Sequence, residues 1–121
     1  MIKTLLLLPA LALPLSAQLR ITEVMSNSNH SDTAANGDWF EITNTGSTAI
    51  NIAGYSFDDD DRLAGASGGF PAYVLQSGAS MIVLNDASDN TFRSLWNLDL
   101  PIRVIANAEI SNFPGLGSAG D

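Results

Sequence analysis

The stretch DWFEITNTGSTAINIAGYSF, from Asp38 to Phe57, decides the fold class. Its first part, DWFEITN, alternates in character, so that Phe40 and Ile42 share one side and Trp39 lies on the other. A period of two residues is that of a β-strand, because successive side chains of a strand point to opposite faces. The alternation therefore predicts a strand with one buried face.

A second strand is predicted after the turn formed by TGS at residues 45–47. In INIAGYSF, residues 50–57, Ile50 and Ile52 share a face, and the aromatic residues that follow Gly54 continue on the other parity. A change of parity at a glycine is typical of a β-bulge. We therefore expect one strand over residues 50–57, bulged at Gly54.

The rest of the chain predicts further short elements separated by turn-forming residues. Strands are predicted at Leu19–Met25, Tyr73–Leu75, Ser80–Asn85 and Ile102–Ala106, and one short helix is predicted to begin at Ser88-Asp89, with Phe92, Leu95 and Trp96 on its apolar face. Several short strands at regular spacing favour a β-sandwich or a barrel.

The N-terminus has the layout of a secretory signal peptide. Lys3 precedes an apolar run of eleven residues, Leu5 to Leu15, and Ser16-Ala17 supplies small residues for cleavage. A membrane-spanning helix needs roughly 20 apolar residues, and two prolines interrupt this run. We therefore expect residues 1–17 to be a signal peptide and residues 18–121 to be exported, with no stable membrane insertion after cleavage.

Charge and cysteine content exclude several classes of function. Without Lys3 the chain has four basic and thirteen acidic residues, a formal charge of −9. DNA binding depends on Lys and Arg that neutralise phosphates, so no nucleic-acid partner is expected. The chain has no cysteine, which excludes disulfides, thiolate zinc sites and thiol nucleophiles.

Two glycine-rich segments match known motifs but lack their context. GASGG at residues 65–69 has the G-x-S-x-G spacing, yet it is flanked by loop, and the one histidine, His30, precedes it. GLGSAG at residues 115–120 has the dinucleotide-binding spacing but does not open the helix of a βαβ unit. We interpret His30 as a solvated loop residue and expect no catalytic residue and no cofactor-binding residue.

The acidic stretch FDDDDR, residues 57–62, is the candidate cation site. Counted as an EF-hand loop from Asp58, it has Leu63 at the glycine position and Gly69 at the glutamate position, which excludes that loop type. Adjacent residues of an extended chain point in opposite directions, so at most two of the four aspartates face one ion. We interpret the stretch as a solvated acidic loop with no metal, and Asp58 and Asp60 are the ligands to test should calcium bind.

The two tryptophans, Trp39 and Trp96, are candidate platforms for stacking sugars. A lone tryptophan on a strand or on an amphipathic helix more often packs in the core or at a sheet edge, because its ring removes a large apolar area from water. We therefore favour a packing role for both.

Three stretches taken together resemble the lamin tail domain, in particular its bacterial exported form: LRITEVM, WFEITNTGSTAINIAGYSFDD and LQSGASMIVLND. The positions that match the family pattern include Glu23, Trp39, Glu41, Asn44 and Gly54. The resemblance implies an all-β, immunoglobulin-like β-sandwich with one short helix. It also implies that these five residues maintain the fold and that the domain has no catalytic residues of its own.

The sequence departs from the family pattern at its C-terminus. In the family, a segment like NFPGLGSAGD leads into a last pair of strands, whereas this chain ends at Asp121. We therefore expect the sandwich of residues 18–121 to lack its last strands. A truncated sandwich would leave a strand edge open to pairing with another chain.

The resemblance and the signal peptide together predict a non-catalytic, secreted or cell-surface bacterial module that binds or anchors to an unknown protein or polysaccharide. One alternative is the N-terminal accessory domain of a secreted enzyme, such as a spore-coat-protein-H-like kinase, a nuclease or a phosphatase. A second alternative is a calcium-stabilised adhesion module.

Overall fold

The computed structural model of the chain describes residues 18–26, 38–58, 68–86, 89–99 and 101–114. Its elements in chain order are β1 (Leu19–Met25), β2 (Trp39–Asn44), β3 (Ile50–Asn51), β4 (Val74–Leu75), β5 (Ser80–Leu84), α1 (Asp89–Leu95), β6 (Arg103–Ala106) and a 3₁₀ turn (Asn107–Glu109). Outside the described ranges lie the predicted signal peptide, His30, Asp60, most of GASGG and the GLGSAG segment.

Two sheets make up the strand framework. Four strands form one sheet in the order β1-β2-β5-β6, and β3 pairs with β4 in a second sheet. β2 is antiparallel to both β1 and β5, whereas β6 is parallel to β5. Parallel neighbours need a crossover connection, and α1 lies in that connection. The predicted fold class, mostly β-strands with one short helix, is confirmed.

The main core lies between the two sheets, as the alternation in DWFEITN predicts. Phe40 and Ile42 are buried there together with residues of β3, β4, β5 and β6. Its buried members are Phe40, Ile42, Ile50, Ile52, Leu75, Met81, Val83, Ile105 and Ile110. The apolar strand β5 contributes every second residue to this core because its alternate side chains point to opposite faces.

A second, smaller core lies on the opposite face of the four-stranded sheet, under α1. It contains Trp39, Ile82, Leu84, Phe92 and Val104. The prediction of a single buried face for β2 is therefore wrong at its first residue, since the helix covers Trp39. This core explains why the run MIVL in β5 is apolar without interruption: both of its faces are buried.

The predicted strand over residues 50–57 is also wrong, because β3 ends at Asn51. The side-chain Oδ1 of Asn51 accepts a hydrogen bond from the backbone N–H of Ala53 at 3.1 Å, and the N–H of Tyr55 donates to the carbonyl of Ile52 at 3.0 Å. An Asn side chain that bonds to nearby backbone competes with the strand ladder and favours a turn. Gly54, with φ of +83°, belongs to that turn and not to a bulge.

The remaining elements match the predictions closely. β1 has the predicted bounds, and β2, β4, β5 and β6 are each one residue shorter than predicted. The helical face is only partly confirmed: Phe92 is buried and Trp96 half-buried, but Leu95 is 43% exposed. Trp96 follows the helix in a turn and reaches the core from there. No helix in the described ranges is long and apolar enough to cross a bilayer.

Candidate functional site

The edge strand β1 contains a β-bulge that places a glutamate opposite a glutamate of β2. Its register with β2 shifts between Ile21 and Glu23, so Thr22 is the additional residue. After the shift, Glu23 lies opposite Glu41 of β2. Like charges that face each other across two strands destabilise a sheet, and among the described strands this pair lies at the edge of the sheet.

Glu41 and three hydroxyl groups form a polar row across the outer face of the four-stranded sheet. Thr22 donates to Oε1 of Glu41, and Thr43 donates to the same oxygen at 3.4 Å. The hydroxyl of Thr43 also lies 2.9 Å from that of Thr22 and 2.7 Å from that of Ser80. The row connects β1, β2 and β5 and fixes the Glu41 carboxylate on this face.

The backbone of β1 directs hydrogen-bonding groups toward the open edge. The N–H of Asn44 donates at 3.0 Å to the carbonyl of the residue that precedes β5. Because hydrogen-bonding direction alternates along an antiparallel strand, Ile42 and Phe40 also bond toward β5. Their partners in β1 are Ile21 and Val24. The N–H and C=O groups of Ile21 and Val24 therefore point away from β2.

The same two residues expose large apolar side chains. Ile21 is 60% exposed and Val24 is 58% exposed. Both pair with core residues of β2, so they lie on the core side of the sheet. Among the described strands, only β2 neighbours β1. The unpaired N–H and C=O groups of such an edge strand are able to pair with another chain.

An apolar groove lies beside the first residues of β1 on this side. It has a volume of about 140 Å³. Apolar side chains of β1, of β2 and of the segment after β3 line it: Leu19, Ile21, Phe40, Ile42, Tyr55 and Phe57. Tyr55 is 49% exposed at its rim. The turn at Gly54 places Tyr55 at this rim. A continuous strand over residues 50–57 would instead have kept Tyr55 in the second sheet.

A cluster of aromatic rings forms the floor of the groove. The ring of Phe57 lies 4.8 Å from that of Phe40 and 5.3 Å from those of Phe70 and Phe113, measured between centroids. Gly68 packs against Phe57 so closely that a Cβ atom there would lie 2.4 Å from the Phe57 carbonyl oxygen. Contacts on several sides hold Phe57 in place and give the groove a fixed shape.

Asn44 joins the two sheets. Its side chain is fully buried, and Nδ2 donates to the carbonyl oxygens of Thr48 at 2.7 Å and Leu75 at 3.0 Å. Its Oδ1 accepts from the N–H of Gly46 at 3.0 Å. The amide thus bonds the end of β2 to the following turn and to β4, and a buried polar group with all these partners specifies one arrangement of the sheets.

Neither tryptophan presents a free ring face like that of a sugar platform. Trp39 is 4% exposed, and its ring meets those of Phe92 and Trp96 edge-on at 5.8 and 5.2 Å. Edge-to-face pairs of this spacing stabilise beyond the area they bury. Both tryptophans lie under or beside α1, on the opposite face of the sheet from the groove.

The structure describes one of the two candidate calcium ligands. Asp58 is half-buried and has an interaction partner, while Asp60 lies outside the described ranges. Two other acidic residues, Asp38 and Asp86, are buried. Within the described ranges, no group of three or more His, Cys, Asp or Glu side chains is arranged to hold a metal ion.

Sequence reasoning missed the two residues that mark the open edge, Ile21 and Val24. They occur three positions apart, so a regular strand would place them on opposite faces. The bulge at Thr22 restores them to one face. A signal was present in LRITEVM, because a polar pair, Thr22-Glu23, between two β-branched apolar residues fits a bulged strand.

Comparison with known families is consistent with this architecture. The family model described as Lamin Tail Domain matches residues 14–119 of the chain. No curated protein and no solved structure matches.

Proposed function

Because the chain belongs to the Lamin Tail Domain family, we propose that it is a non-catalytic, exported module that binds or anchors to a protein ligand through the β1 edge. This family is one of immunoglobulin-like domains without catalytic activity of their own. The observation that carries the proposal is the exposed pair Ile21 and Val24 beside the apolar groove.

Two features favour a protein ligand over a polysaccharide. A polysaccharide stacks on exposed aromatic faces, yet Trp39 is buried and Trp96 packs against it, which leaves, among the described residues, the single exposed ring of Tyr55 at the groove. The groove instead combines apolar side chains with a row of outward backbone groups on β1, which is the arrangement that accepts an extended polypeptide.

Export is supported by the N-terminal sequence. The charged residue, the apolar run and the small residues of positions 1–17 follow the order of a signal peptide. Production in a bacterial host tests this part of the proposal: the chain should appear outside the cytoplasm and begin at Gln18. A chain that keeps residues 1–17 and stays in the cytoplasm would contradict export.

Binding to intact cells of the producing organism tests the ligand class. We expect the labelled chain to bind the cells, and protease treatment of the cells to abolish this binding. Loss of binding after enzymatic removal of surface polysaccharide, with no effect of protease, would favour a polysaccharide ligand. No binding to untreated cells, to their isolated envelope or to secreted protein would contradict a binding module.

The control for the cell assay is a variant in the second sheet. Val74 of β4 is 49% exposed, nearly as much as Val24, and it belongs to the second sheet and not to the β1 edge. Val24→Lys should abolish binding to the cells and Val74→Lys should not. Equal loss with both variants would indicate a general effect of charge and not a binding surface at β1.

A further inference from the structure

We propose that the ligand of the β1 edge is an extended segment of another protein, which adds as a strand and alternates apolar side chains with Lys or Arg. This inference rests on the proposed binding function and names the partner of the same surface. It combines three observations: the direction of the backbone groups of β1, the apolar groove on one face and the facing carboxylates on the other.

The backbone of β1 offers the first part of the site. Ile21 and Val24 direct their N–H and C=O groups to the edge, as the ladder with β2 requires. An extended segment satisfies such groups with its own N–H and C=O groups. Main-chain hydrogen bonds of this kind supply affinity for any ligand sequence. Selectivity must therefore come from the protein side chains on the two faces of the sheet beside β1.

The groove selects apolar side chains at every second position of the segment. Residues of an added strand that lie opposite Ile21 and Val24 point to the same face as those residues, because directly opposed side chains of neighbouring strands share a face. That face holds the groove, with Tyr55 at its rim and Phe57 in its floor. Apolar ligand side chains placed there would cover the exposed surface of Ile21 and Val24.

The opposite face selects a basic side chain. Glu23 and Glu41 face each other there, and both ion pairs found in the described ranges lie elsewhere, at Arg93–Asp89 and Arg103–Glu109. A Lys or Arg opposite Glu23 would place a positive charge beside two carboxylates and relieve their repulsion. Arg20 lies on the same face further along β1, so a neutral ligand residue is favoured opposite Arg20. The preference for a basic residue at one position and a neutral residue at the other determines the register of the ligand strand on β1.

Charge also argues against a second copy of this chain as the occupant. The formal net charge of the chain is −8, so two copies repel each other at long range. A basic partner avoids this cost.

Peptide binding to the purified exported chain tests the inference. The probe is a short acetylated and amidated peptide with valine at every second position, one central lysine on the other face and threonine elsewhere. We expect saturable binding that weakens as salt is raised, because attraction between exposed charges is screened. Replacing the lysine of the peptide by glutamate should weaken binding by about tenfold or more.

Methylation of the peptide backbone provides a matched control. In an antiparallel pairing the valines lie opposite Ile21 and Val24 and direct their N–H groups to β1, so N-methyl groups on the valines should abolish binding. N-methyl groups on the threonines, whose N–H groups face away from β1, should leave most of it. Equal effects of the two modifications would overturn strand addition.

Variants of the protein locate the peptide. Val24→Lys should abolish peptide binding, Val74→Lys should leave it unchanged, and Glu23→Gln should weaken it and reduce its salt dependence. Circular dichroism and thermal unfolding check that each variant is folded, and a folded Val24→Lys that still binds the peptide would overturn the site. The chain could instead bind no peptide and dimerise as its concentration is raised. If Val24→Lys abolished that dimerisation, the occupant of the edge would be a second copy of the chain.

The experiments distinguish a failure of this inference from a failure of the proposed function. Protease-sensitive cell binding that persists in Val24→Lys would leave the binding module in place and refute the β1 edge as its site. Cell binding that depends on Val24 without peptide binding would leave the surface in place and refute the extended basic and apolar ligand.

Discussion

The side-chain Nδ2 of Asn44 donates a hydrogen bond to the carbonyl oxygen of Leu75 at 3.0 Å and so joins the last residue of β2 to the last residue of β4. The two strands belong to different sheets. Among the described strands the second sheet contains β3 and β4, and short strand pairs are marginal alone. A buried amide that bonds across the two sheets therefore contributes to their relative position.

Replacing Asn44 by alanine should lower the free energy of unfolding by about 2–4 kcal/mol, because it removes the donor of two carbonyls, the buried one of Leu75 and the part-buried one of Thr48. Denaturant unfolding followed by circular dichroism measures the loss. Asn51→Ala is the control: its exposed side chain makes one bond, to Ala53, and its loss should cost about 0.5–1 kcal/mol. Equal losses would show that Asn44 does not join the sheets.

Trp39 should tolerate phenylalanine far better than alanine. In the described ranges its indole Nε1 has no hydrogen-bond partner, so Trp39→Phe removes an unsatisfied donor together with part of the ring. We expect a loss of about 1–2 kcal/mol for Trp39→Phe and about 3–5 kcal/mol for Trp39→Ala, measured by denaturant unfolding. A loss with phenylalanine as large as that with alanine would indicate that the indole N–H has a partner.

Gly68 and Gly54 form a matched pair of sites. Both have positive φ, at 61° and 83°, so alanine is strained at either by about 1–2 kcal/mol. A Cβ at Gly68 would also collide with the backbone and ring of Phe57, whereas at Gly54 it would meet no atom within 4 Å. Gly68→Ala should therefore lower the melting temperature clearly more than Gly54→Ala. The reverse order would contradict the close packing of Gly68 on Phe57.

Arg93 ties α1 to the segment that leads into β6. Its guanidinium bonds Asp89 at 2.6 Å and the carbonyl oxygens of Asp99 at 3.3 Å and Ile102 at 2.8 Å. Arg93→Ala should cost about 1.5–3 kcal/mol, since charge-assisted bonds are lost. Asp89→Asn, which removes only the charge of the partner, should cost less than about 1 kcal/mol. Equal costs in thermal unfolding would assign the whole effect to the ion pair.

Millimolar calcium should leave the melting temperature unchanged relative to chelator. A metal that binds only the native state must raise its stability, and we interpret the acidic stretch after Phe57 as a solvated loop. A rise in melting temperature would revive the calcium-stabilised alternative. In that case Asp58→Asn and Asp60→Asn should remove the gain, and Asp99→Asn, in a different part of the chain, should not.

The strands that have a clear period were predictable from sequence. β1, β2 and β5 combine apolar residues with turn-forming neighbours, and this pattern specifies a strand with little help from the rest of the chain. The strand predicted beyond Asn51 was wrong. Ile52 and Tyr55 are residue types that favour a strand, but here they belong to a turn. The Asn51 side chain closes that turn through one local hydrogen bond.

The candidate site was only partly predictable. Glu23 and Glu41 belong to the family pattern, but their position opposite each other depends on the bulge at Thr22. Exposure of Ile21 and Val24 depends on which strand lies at the edge of the sheet. No local pattern in LRITEVM predicts the order of the strands in the sheet.

By itself, the sequence determined the fold class, the bounds of most elements and the resemblance to a family, because these follow from side-chain period and turn chemistry over short stretches. Only the tertiary structure decided that α1 buries Trp39, that Asn44 joins two sheets and that Ile21 and Val24 lie at an open edge beside a groove. Each of these depends on contacts between residues far apart in the chain, and their free energy is gained only when the strands take their places in the sheets.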